Sequence, residues 1–370
     1  MDRKLLFVAS TGAHIRHFHL PYLQQLRDEG WTVHAACRRE GTIPCADQVI
    51  HVPFKKQMFS PVNLEAVRIL RTHIRKENYE AVIVHTSLAA FFTRLAVLGR
   101  PDRPKVINMV HGYLFDEQTP RLKRGLLLAA EKLTAPVTDL LITMNRFDWE
   151  LAQKHRLGRR IGFVPGVGVD FPKLETRRTG RPQELRRSLG IGPEDFVLIY
   201  PAEFSRRKMQ SGLLRAMTLL PEHTVLLLPG DGAELEHCKK KAQRLGIAHR
   251  VRFPGYVEDI VPWYEMADAA VSSSRSEGLP FHLMEAMYFG LPVVASDAKG
   301  HRDLICHGEN GLLYPRGDWE QCAQQIRCLM KSPLPGKPER MEPYSLSRVQ
   351  PQIMELYHSV ICEAVAMTVF

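Results

Sequence analysis

The stretch Ser276-Glu277-Gly278-Leu279-Pro280-Phe281-His282-Leu283-Met284-Glu285-Ala286-Met287 decides the fold. It follows the apolar run Ala269–Ser272 and opens a helical pattern that ends near Gly290. A strand, a short turn and a helix form the elementary unit of a parallel sheet. Pro280 suits the first helical turn, where its missing N–H would have no helical partner anyway. The backbone at Gly278, Leu279, Pro280 and Phe281, at the positive end of that helix, is placed to take an anion or sugar hydroxyls. Glu277 sits in the loop, and Glu285 lies eight positions on, about two turns at 3.6 residues per turn. A carboxylate among Phe281, Leu283, Met284 and Met287 needs a partner, and a ribose diol supplies two donors. An ordinary capped helix with one exposed glutamate fits the same letters.

The same alternation runs outward in both directions. In the first half, strand-like runs fall at Leu5–Ala9, Thr32–Ala36, Ala81–His85, Val106–Val110, Leu140–Thr143 and Ile161–Val164. In the second half they fall at Phe196–Tyr200, Thr224–Leu228, Val251–Phe253, Ala269–Ser272 and Pro292–Ala295. Helical patterns such as Phe18–Glu29, Leu64–Lys76 and Glu234–Leu245 separate them. The expectation is an α/β protein with two Rossmann-like parallel-sheet domains facing across a cleft. The 370 residues suit two domains rather than one. The expected division is 1–170, 171–345 and a C-terminal helix within 346–370 that crosses back to the first domain. Pro165–Asp170 marks the join, and the charged tract Lys173–Arg187 reads as a linker. The last helix is expected over Leu346–Glu363.

Ligands of open α/β sheets bind outside the carboxyl ends of the strands, so residues just after strands carry the chemistry. After Phe196–Tyr200 come Arg206, Arg207 and Lys208, three cations suited to a diphosphate; a solvated basic loop is the plain alternative. His111 and Gly112 follow Val106–Val110, where a histidine can hydrogen-bond a substrate oxygen. Ser10-Thr11-Gly12-Ala13-His14 after the first strand is no dinucleotide fingerprint. It reads as a small-residue loop for an acceptor or phosphate, with Gly12 and His14 as its contacts. His14, His17 and His19 have no Cys or carboxylate at ligand spacing, so no metal is expected. There is no GxxxxGK[ST], GxSxG or HExxH motif, and no Asp-x-Asp pair to hold a divalent ion on a nucleotide diphosphate.

Composition narrows the classes further. The chain is 45% hydrophobic and 24% charged, which excludes a disordered protein. No stretch reaches the ~18 apolar residues of a membrane span, and Leu5–Ala9 is too short for a signal-peptide core. Seven scattered cysteines without a CxxC point to a reducing, cytoplasmic setting. Residues 1–170 hold 25 Lys+Arg against 16 Asp+Glu, whereas residues 171–370 hold 25 against 24. The basic excess therefore sits in the first half, in the clusters Lys55-Lys56, Arg68/Arg71/Arg75/Lys76, Arg100/Arg103/Lys105 and Arg121/Lys123/Arg124. The last cluster adjoins the apolar run Gly125–Ala130, a pattern for a helix on an anionic inner leaflet; a solvated basic face is the alternative. No aromatic residues interleave the charges as nucleic-acid stacking needs, so no nucleic-acid partner is expected.

These motifs together resemble family-4 glycosyltransferases, retaining enzymes of the two-Rossmann GT-B architecture that need no metal, in a branch like that of capsule and exopolysaccharide clusters. The resemblance spans nearly the whole chain. It rests on Pro229-Gly230-Asp231-Gly232, Gly255-Tyr256-Val257, Tyr264-x-x-Ala267-Asp268, the Glu277–Glu285 stretch, Gly308-x-Asn310-Gly311, His14, Pro21-Tyr22-Leu23, His111-Gly112 and Pro165–Asp170. It implies transfer of a sugar from a nucleotide-diphosphate donor, by family prevalence a UDP-sugar, to an acceptor hydroxyl such as that of a lipid-linked glycan. It implies that Glu285 holds the donor ribose and that Glu277 with Gly278, Leu279, Pro280 and Phe281 contacts sugar and phosphate. Lys208 would contact the diphosphate, and His111 the reaction centre. Gly230 and Tyr256 would line the base. The second half would bind the donor and the first the acceptor. No cofactor is implied, since the nucleotide-sugar is a substrate.

One position departs from the pattern. The family's common arginine five residues before the lysine is Glu203 here. Either Arg206 or Arg207 supplies the missing charge, or Glu203 orients Lys208 through an ion pair; substitution by an arginine is the favoured expectation. Two rival functions are a nucleotide-sugar epimerase of the same fold and a non-catalytic nucleotide-sugar-binding subunit.

Overall fold

The computed structural model describes residues 3–38, 41–55, 57, 58 and 60–362. Lys56 of the first basic cluster and Glu363, the expected end of the last helix, lie outside the described residues. The chain divides into two compact units. One holds the chain up to Gly168 and again from Ser347; the other is Val169–Leu346.

The first unit is built on β1 (Lys4–Thr11), β2 (Thr32–Arg38), β3 (Gln48–His51), β4 (Ala81–His85), β5 (Lys105–Val110), β6 (Leu140–Thr143) and β7 (Arg160–Phe163). They form one sheet in the order β3-β2-β1-β4-β5-β6-β7, and all its pairs are parallel. The second unit is built on β8 (Phe196–Ile199), β9 (Thr224–Pro229), β10 (Val251–Gly255), β11 (Ala269–Ser272), β12 (Val293–Ser296) and β13 (Gly311–Tyr314). Its order is β10-β9-β8-β11-β12-β13, again parallel throughout. Each unit is thus Rossmann-like.

The apolar runs are continuous because both faces of each sheet are covered. Side chains alternate between faces. In the second unit Val197, Ile199, Val225, Leu227, Ala270 and Val293 enter one core. Their neighbours Leu198, Leu226, Leu228, Ala269, Val271 and Val294 enter the other.

Four local readings need correction. Phe18–Glu29 is not one helix: Gly12–Phe18 and Leu20–Asp28 meet at His19, with Pro21 in the first turn of the second. Ser10–His14 is not a loop, since β1 runs through Thr11 and a helix starts at Gly12, capped by the Thr11 hydroxyl on the His14 amide. Lys173–Arg187 is not a linker. It contributes the helices Phe171–Glu175 and Pro182–Ser188, and Arg186 is buried with its guanidinium on Asp268 (2.8 Å) and on the Met266 carbonyl (2.9 Å). Pro280 caps the helix Phe281–Tyr288 from an extended conformation instead of opening its first turn.

Candidate functional site

Each sheet reverses its strand order once, between β1 and β4 in the first unit and between β8 and β11 in the second. Reversal points are where open parallel sheets hold ligands. A polar cluster lies at each.

In the second unit, the segment after β8 carries Lys208 and the segment after β11 carries Glu277, and both are buried. Lys208 Nζ donates to Glu277 Oε1 at 2.6 Å, and Arg207 Nη1 donates to Glu277 Oε2 at 2.7 Å. The Ser274 hydroxyl donates to Oε1 at 2.6 Å and lies 2.7 Å from the Tyr200 hydroxyl. Tyr200 and Ser273 also donate to the Lys208 carbonyl, at 3.0 and 2.8 Å. Burial pushes the Glu277 carboxyl up, but Lys208 and Arg207 outweigh it and hold the group well below the usual carboxylate range. Burial draws the Lys208 ammonium down, partly offset by Glu277.

The loop is pinned from outside as well. Gly300 lies so close that a Cβ there would overlap the Gly278 carbonyl oxygen. Gly230, with φ +143°, likewise leaves no room for a Cβ against the Ala202 carbonyl; its amide donates to the Gly255 carbonyl at 2.7 Å. Gly278, Leu279 and Pro280 are buried, Phe281 is half-buried, and Tyr256 is 70% exposed.

Glu285 already has a protein partner, the Tyr264 hydroxyl at 2.9 Å. Burial pushes its carboxyl up to about 7, against the pull of that hydrogen bond. A ribose is therefore not the only donor available to it. The two neighbouring arginines are placed differently. Arg207 joins the Glu277 cluster, whereas the Arg206 side chain is 93% exposed, with Glu234 at 3.5 Å. The ion pair of Lys208 runs to Glu277, not to Glu203.

In the first unit four imidazoles converge. His14 follows β1, His85 ends β4, His111 follows β5, and His19 occupies the break between the two helices. His14 Nε2 lies 3.3 Å from His19 Nε2, and His85 Nδ1 lies 3.2 Å from His111 Nε2. The His19 and His85 rings lie 3.8 Å apart, centroid to centroid. Burial lowers the His14 pKa to about 4, helped by His17. Burial, with the neighbouring rings, holds the other three well below the ordinary range. All four rings are therefore neutral at pH 7. Beside them Thr86 takes φ +65°, strained for a β-branched residue, with its hydroxyl 2.6 Å from that of Ser10.

The sequence trio His14, His17 and His19 is not the spatial one. His17 lies against the Ala13 carbonyl, whereas nitrogens of His14, His19 and His111 lie within 4.8 Å of one another and could hold a metal ion. His85, Ser274, Tyr200 and Tyr264 carry no assigned role in the sequence reading, and His19 enters it only in the histidine trio. His85 closes a recognisable strand and Ser273-Ser274 follow another, so position after a strand was the available signal.

Residues 22–166 match the family described as Glycosyltransferase Family 4, and residues 182–348 match Glycosyl transferases group 1. The chain is 34% identical over 338 residues to the putative glycosyltransferase EpsD of Bacillus subtilis (strain 168), covering 90% of this chain and 89% of that one. It is 22% identical over 317 residues to the UDP-Gal:alpha-D-GlcNAc-diphosphoundecaprenol alpha-1,3-galactosyltransferase of Escherichia coli, covering 82% and 81%. Anabaena Alr3699/HepE, crystallised in complex with UDP and glucose, superposes with a TM-score of 0.78 over 97% of this chain and 100% of that one, at 20% identity. That likeness shows a shared fold. With two parallel-sheet units and a curated relative matched along nearly its whole length, the chain belongs to the GT-B-fold glycosyltransferases, a family 4 region followed by a group 1 region.

Proposed function

We propose that the enzyme transfers a sugar from a UDP-sugar to an acceptor hydroxyl, with retention and without a divalent ion, the second unit holding the donor and the first the acceptor. The observation that carries this reading is the buried Lys208–Glu277 pair joined by the more exposed Arg207. Two cations against one carboxylate leave a net positive site, which complements diphosphate oxygens and stabilises the charge of the leaving group. Both Glu277 oxygens are engaged by donors, which disfavours their use as the nucleophile of a double displacement. Front-face attack, with the leaving phosphate oxygen taking the proton, suits such a site. In this reading His111 contacts the reaction centre, Glu285 the ribose, Gly278 to Phe281 the sugar and phosphate, and Gly230 and Tyr256 the base. Gly12 and His14 face the acceptor.

The names of the relatives support UDP and an acceptor linked to a lipid diphosphate. We extend this to cell-surface glycan assembly of the capsule or exopolysaccharide kind, at the cytoplasmic face of a membrane. Among the described residues no helix is long and apolar enough to cross a membrane. The helix Arg121–Thr134 instead exposes Leu122 (80%), Leu126 (62%) and Leu133. At 100° per residue these three fall within about 40° of one another, with Arg121 and Lys123 on either flank and Arg124 on the opposite side. Such a stripe suits an anionic leaflet. Flotation with phosphatidylglycerol vesicles, lost in Leu122→Glu/Leu126→Glu and absent with phosphatidylcholine, tests it.

The donor reading is tested by thermal shift with a panel of nucleoside diphosphates, with and without EDTA. UDP at 100 times its dissociation constant adds about 2.7 kcal/mol; an EDTA-resistant shift lost in Glu285→Ala is expected. A flat panel would overturn the donor site. Slow hydrolysis of UDP-glucose, abolished by Lys208→Ala, separates an enzyme from a non-catalytic binder.

A further inference from the structure

A neutral imidazole carries one ring N–H and one ring acceptor. In the pairs His14 Nε2–His19 Nε2 (3.3 Å) and His85 Nδ1–His111 Nε2 (3.2 Å), one nitrogen donates and the other accepts. The remaining nitrogens of the two fully buried rings, His19 Nδ1 and His85 Nε2, meet no hydrogen-bond partner among the described residues. An orphaned buried N–H is rarer than an under-used acceptor. Each orphan is therefore a bare lone pair, which puts the proton of His85 on Nδ1 and that of His19 on Nε2. Both buried rings then donate, so His111 and His14 accept at Nε2. Each of these half-buried rings must carry its own proton at Nδ1.

We infer that His19 and His85 are positioning residues that lock His14 and His111 as Nδ1–H tautomers, so that both outer rings offer a hydrogen-bond donor and neither offers a base. The chemistry they fit is an oxygen acceptor, a sugar hydroxyl or a phosphoryl oxygen, and not a proton to be abstracted. The tautomers stand on the geometry alone; their consequence for turnover rests on the sugar-transfer reading above.

The test uses the full chain labelled with ring-15N histidine. Long-range 15N–1H correlation reads which nitrogen of each ring is protonated, with resonances assigned by single histidine substitutions. His111 and His14 protonated at Nδ1 is expected; either ring protonated at Nε2 overturns the inference. Hydrolysis of UDP-glucose supplies the second readout. His85→Leu is expected to lower kcat about 10- to 100-fold, as loss of an oriented hydrogen bond does, with KM for the donor changed less than about 2-fold. His85→Asn, whose amide N–H can stand where Nδ1–H stood, is expected to restore most of kcat and to keep His111 protonated at Nδ1. Wild-type kcat in His85→Leu would overturn the positioning role. If His85→Leu fails to fold, the wild-type spectrum and His85→Asn still decide. Absence of hydrolysis in the wild type, with the expected tautomers present, would count against the sugar-transfer reading and not against this one.

Discussion

The two units place their polar clusters at the same topological point and fill them with opposite chemistry. In the first unit the cluster is made of uncharged rings; in the second it is an ammonium and a guanidinium closed on a carboxylate. The shared sheet fixes where a site can be, and the residues after the strands fix what it can do. The two clusters also fail differently. Neutral buried rings lose stability when the medium forces protons on them, whereas an ion cluster loses it when one member is removed.

The largest effect is expected in the second unit. Glu277→Ala leaves Lys208 buried without its carboxylate and should cost about 3–5 kcal/mol, read by urea unfolding, with UDP-glucose hydrolysis abolished. An unchanged midpoint would mean that the ion cluster does not hold the loop. Next comes acid in the first unit. His14, with its folded pKa lowered to about 4, contributes stability that is present above pH 6.5 and is lost as the pH falls through that folded value. Between pH 6.5 and 5 it alone accounts for about 2 kcal/mol, at ~1.4 kcal/mol per pH unit, and the other three rings add in the same direction. Unfolding of His14→Gln should show a correspondingly shallower pH slope.

Glu285 has the opposite sign. Its folded pKa, raised to about 7, gives stability that is present below pH 4.5 and is lost as the pH rises through 7. Glu285→Gln should therefore gain on the order of 2 kcal/mol at pH 8, allowing for the partial exposure of the side chain, and little at pH 5. The same variant should lose the thermal shift with UDP. The smallest contrast separates neighbours. Arg207→Ala should raise KM for UDP-glucose about tenfold, the loss of a charge-assisted contact, whereas Arg206→Ala stays within about 0.5 kcal/mol of wild type in stability and leaves KM unchanged.

What could be read in the sequence follows the same contrast. Ala81–His85, Leu140–Thr143 and Ala269–Ser272 coincide with strands because they are short apolar runs buried on both faces. The edge strand β3 forms no such run because polar Gln48 and His51 stand at its exposed ends, whereas β13 is an apolar run that the sequence reading takes only as part of a motif. Lys208 and Glu277 were legible because each stands just after a recognisable strand. The histidine cluster was not, because His85 and His111 lie 26 residues apart and meet only once β4 and β5 pair. The helix break at His19 is hidden by a pattern that reads as continuous, although Pro21 marks where a new helix can begin. The hydrogen bond from the Tyr264 hydroxyl to Glu285 is not legible for the same reason of distance in the sequence.

The last helix, Leu346–Ile361, belongs to the first unit. It buries Val349, Ile353, Met354, Tyr357 and Val360, and it bonds back through Gln350 to Gln25 and through His358 to Glu29. The second unit is consequently an insertion whose two ends are tied to each other, Val169 to Tyr344 and Leu346 to Val169. On the ribosome, the first unit waits for its closing helix while the whole insertion is synthesised. At ~5–20 residues per second that wait lasts on the order of ten to forty seconds. The insertion, whose ends are neighbours, can fold during that interval without drawing on the incomplete sheet, so the piece of chain made first is the last to be finished.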